Sequence, residues 1–254
     1  MSCVQLLVAL SGFHAAPFLP RAIRVEAPKM GSPATTDGET LLSARTIVGL
    51  GCFGATCGPL VDAVHNQALL QYDRWPITIE VFDAKTSGLI PPLLAITYVL
   101  LGSVLPLASQ TVVGRDKAFV APCESAPRGA VAAFAVVSTV AIIKLSEVLT
   151  LAGLPAATTV SILFAGCMLQ WASLDGKWAS LALALLVAIG GPLAELPFLA
   201  GNCWHYVAPD YFPLEGIMTG WADLGLNYCT APCYFAVTTD AIAIGRWLAA
   251  SENP

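Results

Sequence analysis

Charge is the scarcest property of this sequence. Charged residues make up only 11% of the 254 residues, with 12 Lys and Arg against 17 Asp and Glu, whereas globular proteins carry about 25%. So few charged side chains cannot cover the surface of a water-soluble protein of this size. Hydrophobic residues reach 56%, and the mean hydropathy is +0.72. The composition therefore predicts a polytopic membrane protein and excludes a soluble domain.

Residue patterns typical of catalytic, metal or phosphate-binding sites are scarce as well. The net charge is −5 and no basic run occurs, which argues against nucleic acid as a partner. The three histidines and eight cysteines show no HExxH or CxxC spacing, and neither a Ser-His-Asp grouping nor a glycine-rich phosphate loop is recognisable. We therefore predict a protein that is not an enzyme, with neither a catalytic site nor a metal site.

Long apolar runs are abundant instead. A helix needs about 20 mostly apolar residues to cross the hydrocarbon of a bilayer, because every backbone polar group must be satisfied within it. The predicted spans cover residues 46–70, 88–109, 129–151, 154–174, 178–199 and 224–248. The first is the weakest, because it is rich in Gly and Cys. The expected fold class is an all-α bundle of six transmembrane helices, in a domain of residues 46–254.

Basic residues in the loops predict the orientation of this bundle. With six spans, both termini lie on one side, together with the loops around residues 110–128 and 175–178. That side carries Arg45, Arg115, Lys117, Arg128, Lys177 and Arg246, while the opposite loops carry Arg74 and Lys85. The positive-inside rule then places both termini in the cytosol, or in the stroma of a plastid.

Residues 1–45 are expected to be a targeting presequence or a disordered tail. A short apolar run at residues 4–10 is followed by small residues, as in a signal peptide cleaved near Ala15. Arg21, Arg24 and Lys29 follow, and Phe18 lies just behind the predicted cleavage site. This arrangement resembles the two-part presequence of algae with secondary plastids, so a plastid (thylakoid) membrane is favoured slightly over the ER. A plain ER signal is the alternative.

Lys144, Glu147 and Asp240 are charged residues that fall inside the predicted spans. Lys144 and Glu147 are three residues apart, so they can pair on one helix face. Asp240 lies near the middle of the last span, where a lone charge costs several kcal/mol unless it is paired or wetted. Thr238 and Thr239, which precede it, are candidate hydrogen-bond partners. Asp240 is either a buried contact between helices or a functional acid.

Short sequence elements, in order over roughly residues 46–250, resemble the Insig family of six-span membrane proteins. The elements of the first half are Leu69-Leu70-Gln71 with Arg74, Pro91-Pro92 with Gly102 and Pro106, and Lys144-Leu145 with Glu147. Those of the second half are Trp171 with Asp175, Pro209-Asp210-Tyr211, and Pro232-Cys233 through Ile244-Gly245-Arg246. Each element is short, and their common order and spacing carry the resemblance.

The resemblance implies a non-enzymatic bundle that binds a flat hydrophobic ligand, such as a sterol or a carotenoid, and associates with a larger sterol-sensing membrane protein. Trp171 matches a tryptophan of the family's ligand pocket, Thr158 the position of a pocket glutamine, and Phe134 lies close to a pocket phenylalanine. Asp175 matches the acid that animal members need for partner binding. Lys177 follows it where the family has Arg-Ser-Arg.

Two alternatives belong to other functional classes. The first is a thylakoid accessory subunit of a photosystem or antenna complex with few or no pigments, whose chlorophyll ligands would come from His65, His205 or Glu147. The second is a small transporter, because Gly58-Pro59 and Gly191-Pro192 are typical of discontinuous helices.

Overall fold

The computed structural model describes residues 42–64, 69–80, 84–113 and 128–251. Residues 1–41 of the predicted presequence and His65 lie outside the described residues. The helices are α1 (Ala44–Thr56), α2 (Gly58–Asp62), α3 (Ile90–Val99), α4 (Leu105–Val113), α5 (Arg128–Leu151), α6 (Ala156–Leu174), α7 (Trp178–Ala200) and α8 (Thr230–Ala250). The strands are β1 (Leu70–Tyr72), β2 (Pro76–Ile79), β3 (Ala84–Ser87) and β4 (Trp204–Tyr206).

The predicted membrane bundle is confirmed. Five helical segments, namely α1 with α2, α3 with α4, α5, α6 and α7, are long and apolar enough to cross a membrane. The sixth span corresponds to α8, which is 21 residues long and less apolar because it carries Thr238, Thr239, Asp240 and Arg246. More than half of its residues are buried, so protein rather than lipid surrounds its polar groups.

Helix α8 begins later than predicted, at Thr230 instead of residue 224. Leu226 is held in extended backbone, because its N–H donates to the carbonyl of Tyr211 at 2.7 Å. The side chain of Asn227 then accepts the N–H of Cys229 at 2.9 Å, which turns the chain into the helix. The apolar run therefore includes a loop segment whose backbone hydrogen bonds go to the preceding link.

The first span is shorter than predicted and is broken. Ser43 begins α1 by accepting the N–H of Thr46 at 3.0 Å. Pro59 has no N–H to continue the helical hydrogen bonds, and α2 is a separate segment that ends at Asp62. Leu70, the predicted end of the span, belongs to strand β1 instead.

Two small antiparallel sheets, which the sequence did not predict, cover one end of the bundle. Strand β1 pairs with β4, with Leu70 opposite Tyr206 and Tyr72 opposite Trp204, and β2 pairs with β3 as a hairpin. We name this the sheet end. At the opposite end, the turn between α6 and α7 meets the last turns of α8, and we name this the Asp175 end.

A buried amide at Gln170 joins three helices at the centre of the bundle. Gln170, on α6, donates through Nε2 to the hydroxyl of Thr139 on α5 at 2.7 Å. Its Oε1 accepts from the hydroxyl of Thr239 on α8 at 2.9 Å. All three side chains are buried. Hydrogen bonds of this kind hold membrane helices together, because lipid offers no hydrophobic driving force for their association.

The second span widens into a π-helical turn, Leu100–Val104, where it crosses α8. Pro106, which lacks an N–H, follows this turn and cannot donate to the Gly102 carbonyl four residues earlier. A Cβ added to Gly245 of α8 would lie only 2.1 Å from the Gly102 oxygen. The two backbones therefore approach so closely that only glycine fits at position 245.

This close crossing generates a stability prediction. Gly245→Ala should destabilise the bundle by about 1–3 kcal/mol, because the backbones must separate to admit the methyl group. Gly190→Ala is the matched control, since nothing lies within 4 Å of a Cβ at that helix position. The measurement is thermal unfolding of both variants in detergent. Equal unfolding temperatures would contradict the close approach.

Candidate functional site

A cavity of about 260 Å³ lies at the sheet end, between α2, α3, α7 and α8 and against strands β1 and β4. Apolar side chains form much of its wall, among them Leu93, Leu94, Phe198 and Val237. Its polar side chains include Asp62, Tyr72, Glu195, Tyr206 and Tyr234. An apolar cavity with a few convergent polar groups is the usual form of a ligand site.

Glu195 is the most enclosed carboxylate of this cavity, with 8% of its surface exposed. Its Oε2 accepts from Trp204 Nε1 at 3.2 Å and from the Tyr206 hydroxyl at 2.8 Å. Strand alternation explains this pair of donors. Trp204 and Tyr206 face the interior of the bundle, while His205 between them is exposed.

Tyr206 is also tied to the start of α8, because its hydroxyl accepts from Thr230 at 3.0 Å. Burial and the Glu195 carboxylate raise the pKa of Tyr206 well above its usual value. Its hydroxyl therefore stays protonated at neutral pH and remains a hydrogen-bond donor to Glu195.

Asp62 is the second carboxylate of the cavity. The hydroxyl of Tyr72 donates to Asp62 Oδ2. Tyr72 is paired opposite Trp204 in the β1–β4 sheet, and the two rings meet edge to face with centroids 6.4 Å apart. Adjacent sheet residues thus hold both carboxylates, so Asp62 and Glu195 lie at the same end of the cavity.

The intramembrane acid Asp240 borders the deep part of this cavity through Tyr98. The Tyr98 hydroxyl donates to Asp240 Oδ2 at 2.6 Å, and Tyr98 itself lines the cavity. The expectation that Thr238 and Thr239 bind Asp240 is wrong. Thr238 donates to the carbonyl of Tyr234 within its own helix, and Thr239 donates to Gln170.

A different arrangement of charges occupies the Asp175 end. Asp175 Oδ2 pairs with Arg246 Nη1 at 2.7 Å, while Oδ1 accepts the Lys177 N–H at 2.9 Å and the Ser180 hydroxyl at 2.6 Å. Trp171 Nε1 lies 3.0 Å from the Lys177 carbonyl and 3.2 Å from the Ser180 hydroxyl. Trp171 and Asp175 share one helix face, as predicted, and both bind the turn into α7.

The three ligand-binding candidates lie elsewhere in the bundle. Trp171 is half-buried near the Asp175 end, whereas Thr158 and Phe134 are exposed. None of them is among the described residues that line the sheet-end cavity. Of the two partner-binding candidates, Asp175 has an enclosed carboxylate. Lys177 has a pKa lowered by partial burial and by the positive charge of Arg246.

The pigment-ligand candidates of the alternative hypothesis are also separated. His205 is exposed and its Nδ1 lies 2.8 Å from Asp73 Oδ2. Glu147 pairs with Lys144, as the three-residue spacing predicted. His65 lies outside the described residues. The structure does not bring His205 and Glu147 together.

The sequence did not predict the sheet-end cavity, although two signals were present. Glu195 is an acid inside an otherwise uncharged apolar run, which marks a polar interior position in a membrane helix. The alternation of Trp204, His205 and Tyr206 is the pattern of a half-buried strand, but three residues are too few for a reliable period.

Comparison with known proteins identifies the fold of this chain. No protein-family model and no curated protein sequence matches the chain. Among solved structures, a mycobacterial Insig homolog, MvINS from Mycobacterium vanbaalenii, matches with a TM-score of 0.60 and 19% identity, over 84% of this chain and 98% of that chain. A cross-linked trimer of an MvINS variant gives a TM-score of 0.59 with the same identity and coverage. The chain has an Insig-like fold.

The structure explains several residues of the sequence elements that resemble the Insig family. Pro91 and Pro92 lie in the first turn of α3, where a missing N–H costs nothing. Pro106 follows the π-helical turn, and Gly245 crosses it at Gly102. At 19% identity the likeness concerns the fold alone, so ligand and partner must be inferred from the residues of this chain.

The ion pair at the Asp175 end gives a second stability prediction. Asp175→Ala should cost about 3–5 kcal/mol, because it leaves the Arg246 charge enclosed without its carboxylate. Only 14% of the Arg246 side chain and 6% of the Asp175 side chain are exposed. The double variant Asp175→Leu with Arg246→Met should recover most of the loss, since no enclosed charge is left behind.

Thermal unfolding in detergent measures these differences. Lys85→Ala, at an exposed position of β3, is the control for loss of a charged residue and should change stability by less than about 1 kcal/mol. A double variant as unstable as Asp175→Ala would show that the pair does not act as a unit.

Proposed function

We propose that this protein is a non-enzymatic membrane scaffold. It binds a flat hydrophobic lipid in the sheet-end cavity and associates with a larger integral membrane protein through the Asp175 end. The observation that carries the proposal is the cavity itself, whose walls are largely apolar and whose two carboxylates, Asp62 and Glu195, are bound by neighbouring residues of the β1–β4 sheet. A lipid with one polar end and an apolar body has the complementary distribution.

Aromatic rings at the polar end of the cavity favour a flat ligand. The rings of Phe198 and Trp204 stack with centroids 5.0 Å apart and an interplanar angle of 14°, and Tyr72 meets Trp204 edge to face. The cavity volume of about 260 Å³ is slightly below the range of about 300–1,000 Å³ for pockets that enclose a whole ligand. The polar end and the first rings of a lipid would therefore enter, with the remainder in the hydrocarbon between helices.

Filling the cavity should remove the lipid. Thr97 lines the cavity, and Thr97→Trp places a large ring where the ligand would lie. The adjacent Ile96, which is 60% exposed on the outer face of α3, provides the control Ile96→Trp. Native mass spectrometry of protein purified from membranes should find a bound lipid on the wild type and on the control but not on Thr97→Trp. Equal lipid occupancy in all three proteins would contradict the proposed lipid site.

The partner surface is proposed to be formed by the exposed tryptophan beside Asp175 rather than by the aspartate. Asp175 uses both carboxylate oxygens inside the protein, on Arg246, Ser180 and the Lys177 backbone. Trp178, which opens α7, is 79% exposed, and its ring lies 6.1 Å from that of Trp171. Exposed tryptophans are frequent anchors of protein interfaces. Asp175 therefore acts on the partner by fixing the position of Trp178.

Co-purification separates these two roles. Trp178→Ala should reduce recovery of the partner from gently solubilised membranes about tenfold while leaving the unfolding temperature unchanged. Asp175→Ala should lower both. The control is Trp75→Ala, because Trp75 is 69% exposed at the sheet end. If Trp75→Ala lowers recovery as much as Trp178→Ala does, the partner surface has been placed at the wrong end.

A further inference from the structure

We infer that the β2–β3 hairpin anchors the sheet end in the lipid–water boundary of the bilayer. Trp75 and Ile77 enter the outer edge of the hydrocarbon, and Arg74 and Lys85 contact the phosphates of the surrounding phospholipids. The inference is independent of the lipid proposed for the cavity. It comes from two exposed apolar side chains, Trp75 and Ile77, that the structure holds at the depth where the second span begins.

Hydrogen bonds to the start of the second span fix the depth of Trp75. The N–H of Gly88 donates to the Trp75 carbonyl at 2.9 Å, and the Ser87 hydroxyl donates to the Arg74 carbonyl at 2.6 Å. Helix α3 begins two residues after Gly88, at Ile90, which is also the first residue of a segment apolar enough to cross a membrane. Trp75 therefore lies level with the end of a span, where tryptophan is enriched in membrane proteins.

The hairpin presents its apolar side chains outward. Trp75 is 69% exposed and Ile77 is 47% exposed. A Cβ added to Gly88 would lie within 4 Å of both side chains, so the two are adjacent on one face of the hairpin. Trp75 has a φ of 46°, which is costly for a bulky residue and persists only where its surroundings impose it. The bonds from Gly88 and Ser87 impose this conformation and leave the indole outside the packed bundle.

Lipid is the occupant that this apolar face fits. A two-stranded hairpin alone is marginally stable in water, and the buried residues of this one, Thr86 and Ser87, belong to β3 and not to β2. Just beyond the hairpin, the second span exposes Ile96, Leu100 and Val104 at four-residue intervals, which is the lipid-facing stripe of a membrane helix. Only two residues join the hairpin to this helix, so the same bilayer covers both.

The basic residues of the hairpin fit the phosphate layer above the hydrocarbon. Arg74 and Lys85 are exposed, and no salt bridge holds either side chain among the residues that the structure describes. Lys85 is opposite Thr78 in the strand register, so it faces away from Ile77. An element with an apolar face and basic residues on its polar side is typical of segments that lie in the membrane interface.

The neighbouring acids do not reverse this charge. Asp73 precedes Arg74, but its carboxylate lies 2.8 Å from His205 Nδ1. Glu80 follows the last residue of β2, at the end of the strand away from Trp75. The link before α8, residues 201–229, contains no Lys or Arg. Phosphate groups at this end of the bundle therefore meet their positive charge at the hairpin.

Photocrosslinking identifies what covers the hairpin. Photoreactive benzoylphenylalanine is placed at Ile77, at Thr78 as the matched control on the opposite strand face, and at Ile96 as the positive control for lipid contact. Native membranes are irradiated before solubilisation, and adducts on the purified full chain are identified by mass spectrometry. Lipid adducts are expected at Ile77 and Ile96, with far fewer at Thr78. Trp75 provides a second position if the chain substituted at Ile77 fails to fold.

Two results would overturn the membrane anchor. Cross-links from Ile77 to protein in place of lipid would show that a partner or a second copy of this chain covers the hairpin. Lipid adducts at Ile96 without an excess at Ile77 over Thr78 would show that the apolar face does not enter the bilayer.

Nanodiscs of equal parts phosphatidylcholine and phosphatidylglycerol test the basic residues. Adducts at Ile77 should be enriched in phosphatidylglycerol, and Arg74→Gln and Lys85→Gln should each lower this enrichment by up to about fivefold. Arg45→Gln, at an exposed position at the start of α1, is the matched control and should leave the enrichment unchanged. Equal adducts of the two lipids on the unmodified hairpin charges would overturn the phosphate contact.

Discussion

The central position of α8 is the constraint on which the rest of the structure depends. A helix surrounded by other helices can carry polar groups only if those helices satisfy them, because lipid cannot. Thr239 donates to Gln170 of α6, Asp240 accepts from Tyr98 of α3, and Arg246 donates to Asp175 at the turn into α7. These contacts fix both the rotation of α8 about its axis and its depth. The neighbouring helices are thereby set around it.

The close crossing at Gly102 and Gly245 also fixes the position of α8. Gly102 and Gly245 bring two backbones into contact, and the π-helical turn that precedes Pro106 directs the Gly102 carbonyl toward α8. Close packing of small residues and polar contacts are the two ways in which membrane helices associate. Helix α8 uses both close packing and polar contacts, at positions within two turns of each other. Its low hydrophobicity is therefore a consequence of its central position in the bundle.

The two ends of the bundle use acidic residues in opposite ways. At the Asp175 end, carboxylate and guanidinium are matched and enclosed, so the charges serve the packing of α6, α7 and α8. At the sheet end, Asp62 accepts from Tyr72, Glu195 accepts from Trp204, and both acids line a cavity. The first arrangement pairs opposite charges within the protein. The second lines a cavity, and this difference is the reason why we propose the ligand site at the sheet end.

Much of the fold could be predicted from the sequence, because apolar runs of helical length depend on local composition alone. The Lys144–Glu147 pair and the shared face of Trp171 and Asp175 followed from helical spacing for the same reason. The partner of Asp240 could not be predicted, since Tyr98 is 142 residues away along the chain. Strands of three and four residues carry too little periodicity to be recognised. The cavity depends on such distant contacts, so the sequence did not predict it.

The β1–β4 pairing has a consequence for the order of assembly. Strand β1 follows the first span and β4 follows the fifth, so a chain growing from its N-terminus carries an unpaired β1 while four further spans are made. Tyr72 and Trp204 become neighbours only when the link before α8 emerges. Glu195 gains the donors Trp204 and Tyr206 at the same moment. The cavity is therefore completed among the last parts of the molecule to be made.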